Sequence, residues 1–309
     1  MYDLGWRAKI AVTGDDRVRW LNGMVTNNIR DLATGQGNYN FLLNAKGHIL
    51  GDMYVYNRGN SLWLDTEQSQ VPKLLEVLNH FIIMDDVELT DISARVTALA
   101  VQGPRAKGLL TSVGLPPVDV PPMQYSDVHW QGAGVTITQM ESPDFVTYEI
   151  WGAPDVLKTL WTALIDQGAA PIGTRALEMF RVMAGVPKYG QDIREGDLPQ
   201  ETGQDHALNF TKGCYVGQEI VERIRSRGAV RRVFSGFVAS EGHPQSGMKL
   251  IANGKEVGEL TSVEFVPSQE LGEQTLCLGY IRREALEAGA EITCEGDRLQ
   301  PHRLPFAKR

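Results

Sequence analysis

Near residue 232 the hydrophobic pattern of this 309-residue chain changes period. Before that point, stretches with helical spacing alternate with strand-like ones. After it, only short alternating runs remain, at 233–239, 248–251, 257–265, 275–281 and 291–294. Asn253-Gly254 separates two of these runs, and this dipeptide favours the tight turn of a β-hairpin because both positions accept positive φ. Short strands with no helices to cover them remove their open edges by closing on one another. Residues 233–309 are therefore expected to form a small β-barrel, with a domain boundary near residue 232. In the preceding region, 70–81 carries Val71, Leu74, Leu75 and Leu78 on one helical face. Residues 155–167 carry the stripe Val156, Leu157, Leu160, Trp161 and Leu164, and 173–185 reads as a further helix. Strands are expected at 10–12, 39–43, 48–56, 61–65, 94–101, 134–140 and 146–151, with Asn44-Ala45-Lys46-Gly47 as a turn.

Just before the boundary lies Lys212-Gly213-Cys214-Tyr215-Val216-Gly217-Gln218-Glu219, followed by Arg223, Arg225 and Arg227. Glycine before the cysteine leaves its thiol reachable, and nearby cations such as Lys212 favour the reactive thiolate. Ile220 and Ile224 are four apart and Glu219 is spaced to pair with Arg223, so the spacing predicts a helix from about Tyr215 to Arg227. Gly228 would stop it. Cys214 then sits just outside a helix N-terminus, where the dipole favours an anion. The plainer alternative is a small buried cysteine in a glycine-rich turn, since free cysteine is often buried.

The net charge is −8, which disfavours binding to a long polyanion such as nucleic acid. Residues 212–232 nevertheless carry six cations against two carboxylates, a local +4 that suits a discrete anionic ligand or a solvated helix face. The three cysteines, Cys214, Cys277 and Cys294, are odd in number and far apart, which points to a reducing, cytoplasmic setting. Cys277 alternates with leucines and reads as core. No apolar run approaches the roughly 18 residues of a membrane span, and the first residues lack the apolar segment of a signal peptide. No paired-cysteine or paired-histidine spacing suggests a metal site.

The eight residues 212–219 resemble the signature of the YgfZ-type folate-binding proteins. These belong to the glycine-cleavage T-protein (aminomethyltransferase) superfamily and are linked to iron–sulfur cluster assembly and repair. Similarity continues at Leu21-Asn22-Gly23-Met24-Val25-Thr26-Asn27 and in the stretch from Asn44 to Asp52, which looks like the T-protein Asn-x-x-Gly-Gly-x-x-Asp-Asp. It extends through Leu177, Arg181, Gly185, Tyr189-Gly190, Asp192 and Pro199-Gln200-Glu201 to Gly258-Glu259-Leu260-Thr261-Ser262 and Leu278-Gly279-Tyr280. Nearly the full length is covered. The resemblance implies an α+β, three-domain cloverleaf around a central folate cavity. Residues 1–232 would form two intertwined α+β subdomains and 233–309 the barrel. It also implies tetrahydrofolate or a 5-substituted form as cofactor, iron–sulfur assembly proteins or client enzymes as partners, and an indirect effect on tRNA modification. Three departures count against classical aminomethyl transfer: Gly51 replaces the first aspartate of the pair, Phe145 stands where a glutamate holds the pterin, and the long N-terminal region is missing.

By spacing alone Asp52 reads as a surface aspartate in an alternating strand; the resemblance makes it the expected catalytic and cofactor-orienting carboxylate, and charge-assisted bonds to pterin N–H groups are strong. The anionic glutamate tail of folate suits arginine, with Arg227 the candidate. The resemblance adds Glu201, Lys212, Tyr215 and Gln218 as cofactor-binding residues and Cys214 as a catalytic thiol at the cavity mouth, able to contact iron, a persulfide or a one-carbon adduct. The expected function is folate binding in support of iron–sulfur maturation. The alternatives are a folate-dependent aminomethyltransferase or demethylase, and a scaffold that docks assembly partners through its basic helix without folate.

Overall fold

A computed structural model describes residues 1–116, 119–142, 145–228, 230–239, 242–268 and 272–306. The chain divides into two compact units that are discontinuous in sequence. The first comprises Met1–Leu43, Leu50–Ile172 and His206–Val216, the second Asn44–Ile49, Gly173–Asp205 and Gly217–Arg309.

The first unit carries the strands β1 (Tyr2–Asp3), β2 (Arg7–Thr13), β3 (Gly37–Leu43), β4 (Ile49–Asn57) and β5 (Leu62–Glu67). It continues with β6 (Glu88–Asp91), β7 (Thr97–Gln102), β8 (Tyr125–Trp130), β9 (Ala133–Met140) and β10 (Thr147–Gly152). They form two five-stranded sheets, ordered β3-β4-β5-β2-β6 and β1-β7-β10-β9-β8. Helices α1 (Arg17–Met24) and α2 (Val71–His80) belong with the first sheet, α3 (Ala106–Ser112) and α4 (Pro154–Asp166) with the second. The spacing reading of α4 holds for physical reasons. Pro154 presets φ in the first turn, and Asp155 complements the dipole there. Leu157, Leu160 and Leu164 are buried against Leu99, Ile137 and Ile150. Removing a side chain such as Leu160 typically costs about 2–5 kcal/mol. On the first sheet Leu74 and Leu78 of α2 pack on Ile10, Leu62 and Leu64. A third cluster, with Leu4, Tyr56, Ala98, Ala100 and Trp151, draws on both sheets.

The second unit contains α5 (Thr174–Met183), α6 (Gln218–Arg227), α7 (Arg283–Glu287) and six strands: β11 (Arg232–Ala239), β12 (Lys249–Ala252), β13 (Lys255–Ser268), β14 (Gly272–Arg282), β15 (Ile292–Cys294) and β16 (Asp297–His302). The strands close into a barrel in the order β11-β14-β13-β12-β15-β16, with β16 returning to pair with β11. Asn253 and Gly254 both take positive φ in the β12–β13 turn, as the dipeptide predicts. Cys277 and Cys294 lie in the barrel core.

A bulge in β13 between Leu260 and Ser262 aims consecutive hydroxyls at one buried carboxylate. Asp192 accepts from Thr261 Oγ1, from Ser262 Oγ at 2.7 Å, from Arg181 Nη1 at 2.6 Å and from the Lys188 N–H at 3.0 Å. This hub ties α5 and the following loop to the barrel. It gives Arg181, Asp192, Thr261 and Ser262, all noted in the sequence, one shared structural role.

Four strands have no counterpart in the sequence reading. β1 is two residues long. β6 and β8 are sheet edges with largely exposed or half-exposed side chains, so the apolar alternation is faint. β16 contains Pro301, which normally argues against a strand.

Candidate functional site

Strand β4 alternates. Ile49, Gly51, Met53 and Val55 are buried, while Leu50, Asp52 and Tyr54 share the opposite, partly open face. Asp52 is therefore half-buried rather than a free surface aspartate. Its Oδ2 accepts from the Tyr39 hydroxyl on β3. Its Oδ1 accepts from Gln70 Nε2 at 2.7 Å, and its own N–H donates to Gln70 Oε1 at 3.0 Å. Gly51 makes this possible: a Cβ there would lie 2.8 Å from Leu74 Cδ2 and 3.0 Å from Gln70 Oε1. Tyr39 lies in an aromatic group with Tyr54 at 5.0 Å and His206 at 5.4 Å between ring centroids. Burial pushes the Asp52 carboxyl above the usual carboxylate range, against the pull of Tyr39, Gln70 and the Arg7 charge. Burial and the Asp52 charge likewise raise the Tyr39 phenol well above its ordinary value.

On the same face of the sheet, across β5 and β2, lies a buried charge cluster. Arg7 Nε donates to Asp65 Oδ1 at 2.8 Å, and the Lys9 ammonium ion-pairs with the same oxygen at 2.9 Å. Lys9 also sits 4.9 Å from the centre of the Trp151 ring, a cation–π contact. The Trp151 indole N–H donates to Glu149 Oε2 at 3.0 Å. Burial alone would raise Asp65, but the Arg7 and Lys9 charges outweigh it and hold that carboxyl low. Glu149 is pushed up, by burial first and then by the Asp65 charge. Asp65 Oδ2 is buried without a protein hydrogen-bond partner.

Within the first unit the signature loop is fixed to the segment after α1. Lys212 Nζ donates to Val25 O and Asn27 O, each at 2.6 Å, and stands 5.0 Å from the Tyr215 ring centre. Asn209 N–H donates to Thr26 O, Thr26 Oγ1 to Ala207 O and Val216 N–H to Gly23 O. Burial, aided by the Arg30 charge, pushes the Lys212 ammonium down to about 7. Lys212 thus points inward as a loop anchor, which corrects the expectation of a cation presented to Cys214. The cation beside the exposed loop is Arg30, whose guanidinium borders Gly213. Cys214 is exposed, so the buried-turn alternative does not hold. Tyr215 is buried beneath Lys212.

The remaining candidates fall in the second unit. The helix begins at Gln218, not Tyr215, because Gly217 in the left-handed region (φ 85°) breaks the run before it. Gln218 occupies its first position, half-buried. The expected Glu219–Arg223 pair is replaced by a Glu222–Arg225 contact at 3.7 Å. Glu201 is engaged by Arg232: its Oε2 accepts from Arg232 Nε at 3.0 Å, and Asp197 Oδ1 accepts from Arg232 Nη2 at 2.6 Å. The Arg227 side chain lies outside the described residues. Asp52 is therefore grouped with Lys212, Cys214 and Tyr215 in one unit, and Glu201 with Gln218 in the other. The residues missed from sequence are Arg7, Lys9, Tyr39, Asp65, Gln70 and Glu149. A signal for three of them is present: Lys9, Asp65 and Glu149 are charges inside otherwise apolar strands, and buried charges need partners.

Two five-stranded sheets and a closed six-stranded barrel make up the architecture of a glycine-cleavage aminomethyltransferase. The structure matches that of aminomethyltransferase T of the glycine cleavage system from Bartonella henselae, with a TM-score of 0.89, 23% identity, and coverage of 99% of this chain and 86% of that one. Residues 1–212 match the family model described as the GCVT N-terminal domain, and the chain belongs to that family. An aminomethyltransferase from a Picosynechococcus species is 28% identical over 303 residues, covering 96% of this chain and 82% of the relative. A putative chloroplastic transferase from Arabidopsis thaliana is 25% identical over 297 residues, covering 96% and 68%. Among the described residues, no helix is long and apolar enough to cross a membrane.

Proposed function

We propose that the chain binds a reduced folate, tetrahydrofolate or a 5-substituted form, in its first unit, with Asp52 as the carboxylate that meets the pterin. One observation carries this reading: Asp52 is held from two sides by the uncharged donors Tyr39 and Gln70 on a half-open face lined by Tyr54. The residues present fit the cofactor. Each Asp52 oxygen accepts one bond from the protein and has a further lone pair to offer. The Tyr39, Tyr54 and His206 rings supply flat apolar surface suited to a planar bicycle. Bound tetrahydrofolate supplies nucleophilic amines that accept and donate one-carbon units. Asp52, ionised, accepts an N–H bond and stabilises positive charge beside it, while Tyr39 and Gln70 keep it from turning away. Lys212 fixes the signature loop in the same unit.

The use made of the folate is read from the signature. Residues 212–219 support a YgfZ-type role in iron–sulfur cluster assembly or repair in the cytoplasm, with effects on tRNA modification arising through cluster-dependent enzymes. An exposed Cys214 suits a thiol that acts on a protein-borne iron or persulfide. The second reading, a folate-dependent aminomethyltransferase, is favoured by the names of the relatives. Phe145, an exposed apolar side chain where that chemistry places a glutamate, counts against it. Calorimetric titration with tetrahydrofolate and its 5-formyl form tests the binding site, with saturable heat expected and its loss in Asp52→Asn. Absence of binding at millimolar ligand sinks the folate reading and leaves the scaffold role. Cys214→Ala protein that fully restores cluster-enzyme activity in depleted cells refutes the thiol role, and turnover of tetrahydrofolate with a methylamine-type donor would establish the transferase.

A further inference from the structure

We propose that Gln70 is the positioning residue for Asp52, and that residue 51 is glycine because Gln70 must reach past it. The inference rests on the folate reading of Asp52 for its purpose, but its geometry stands without ligand. Gln70 is buried (5% exposed) at the point where a short 3-10 turn hands over to α2. Its amide meets Asp52 twice, accepting from the backbone N–H at 3.0 Å and donating to Oδ1 at 2.7 Å. A flipped amide would set its NH₂ against the Asp52 N–H, so the two contacts enforce one orientation. The clamp couples the carboxylate to its own backbone, and with Tyr39 on the other oxygen it removes the freedom of χ1 and χ2.

The choice of an amide has a chemical consequence. An arginine here would neutralise Asp52, whereas glutamine aims the carboxylate and leaves its charge available to a ligand amine. The charged and titratable groups around Asp52 are Tyr39 on β3, Tyr54 on β4, Arg7 on β2 and Asp65 on β5, with His206 stacked on Tyr39. Of these only Arg7 is a fixed cation, and it is bound to Asp65. Gly51 completes the device. Any side chain there would enter the space of Gln70 Oε1 and Leu74 Cδ2. The glycine that departs from the aspartate pair of the T-protein pattern is thereby linked to a glutamine 19 positions later in the chain.

The test follows the Asp52 carboxyl carbon by NMR through a pH titration of the full chain without folate, with Asp52→Asn to assign the resonance. Gln70→Met keeps volume and removes both hydrogen bonds. It is expected to raise the Asp52 midpoint by about one pH unit. Gly51→Ala is expected to raise it similarly by displacing the amide, and the double variant by no more than either alone. In wild type that binds tetrahydrofolate, both variants should weaken affinity by about tenfold, with the acid limb of binding moved to higher pH. An unchanged Asp52 midpoint in Gln70→Met, or additive shifts in the double variant, overturns the clamp whatever the folate result. Failure of wild type to bind folate, with the NMR shifts as expected, removes the proposed function and leaves the clamp.

Discussion

Asp52 in the first unit and Asp192 in the second are both drawn out of water, yet they are built in opposite ways. Asp192 is fully buried and takes bonds from Arg181, two hydroxyls and a backbone N–H, so its charge is cancelled and its acceptor sites are filled. Asp52 is half-buried and takes bonds from a phenol and an amide, both neutral. The first arrangement joins elements of the fold. The second keeps a carboxylate oriented with charge to offer, at the expense of a raised proton affinity. Buried ionisable groups mark function only when their partners leave something unpaired.

The comparison breaks first on stability. Asp192→Asn takes away one of the two anions that Arg181 meets, Glu178 being the other, and leaves buried donors short of an acceptor, so a loss of about 2–3 kcal/mol is expected in denaturant unfolding. A loss below about 1 kcal/mol would show that Asp192 is no keystone of the barrel unit. Asp52→Asn should behave in reverse. The folded-state pKa of Asp52 is raised, so its contribution to stability is present at low pH and declines as pH climbs through the ordinary value of 3.8 toward the folded one. At neutral pH the asparagine variant should match or exceed wild type in stability while binding tetrahydrofolate about 100-fold more weakly. A variant both unstable and competent in binding would reverse the two roles.

Why one hub was visible in the sequence and the other was not follows from where partners come from. The members of the Asp192 hub, Arg181, Asp192 and Thr261-Ser262, stood out together through the family resemblance. Asp52 was legible by itself, from its turn and the resemblance, but its partners were not. Tyr39 reaches it across a strand pair and Gln70 from a turn 18 residues on, and neither carries a local mark. The barrel and α4 were readable because period and turn chemistry act within a few residues. Direction was not: Lys212 and Cys214 are two apart, yet one side chain is buried against carbonyls and the other is exposed. A left-handed Gly217 also cut three residues from the expected helix.

Lys212 offers a third test, of a cation that sits in the site-bearing unit without facing a carboxylate. Its folded pKa, about 7, lies below the ordinary 10.5. The unfolded chain therefore holds the extra proton between those values, and stability should rise with pH across that window by up to about 1.4 kcal/mol per unit. Other groups titrate there as well, so the quantity to measure is the difference between wild type and Lys212→Met in urea midpoints from pH 7 to 10. A flat difference would show that Lys212 keeps its proton and acts as an ordinary buried cation.

The smallest effect is expected at Glu201, which the sequence placed with the cofactor and the structure places on Arg232. That arginine is about one-third exposed and also meets Asp197 at 2.6 Å, so one of its two anions can be lost without stranding it. Glu201→Gln should lower stability by roughly 1 kcal/mol or less, as for a partly exposed ion pair, and leave tetrahydrofolate affinity within about twofold. The outcome discriminates sharply because Asp52→Asn is expected to do the opposite. If Glu201→Gln weakens folate binding tenfold with its unfolding midpoint unchanged, Glu201 belongs to the ligand. The proposed assignment of the folate to Asp52 and the first unit alone would then fail.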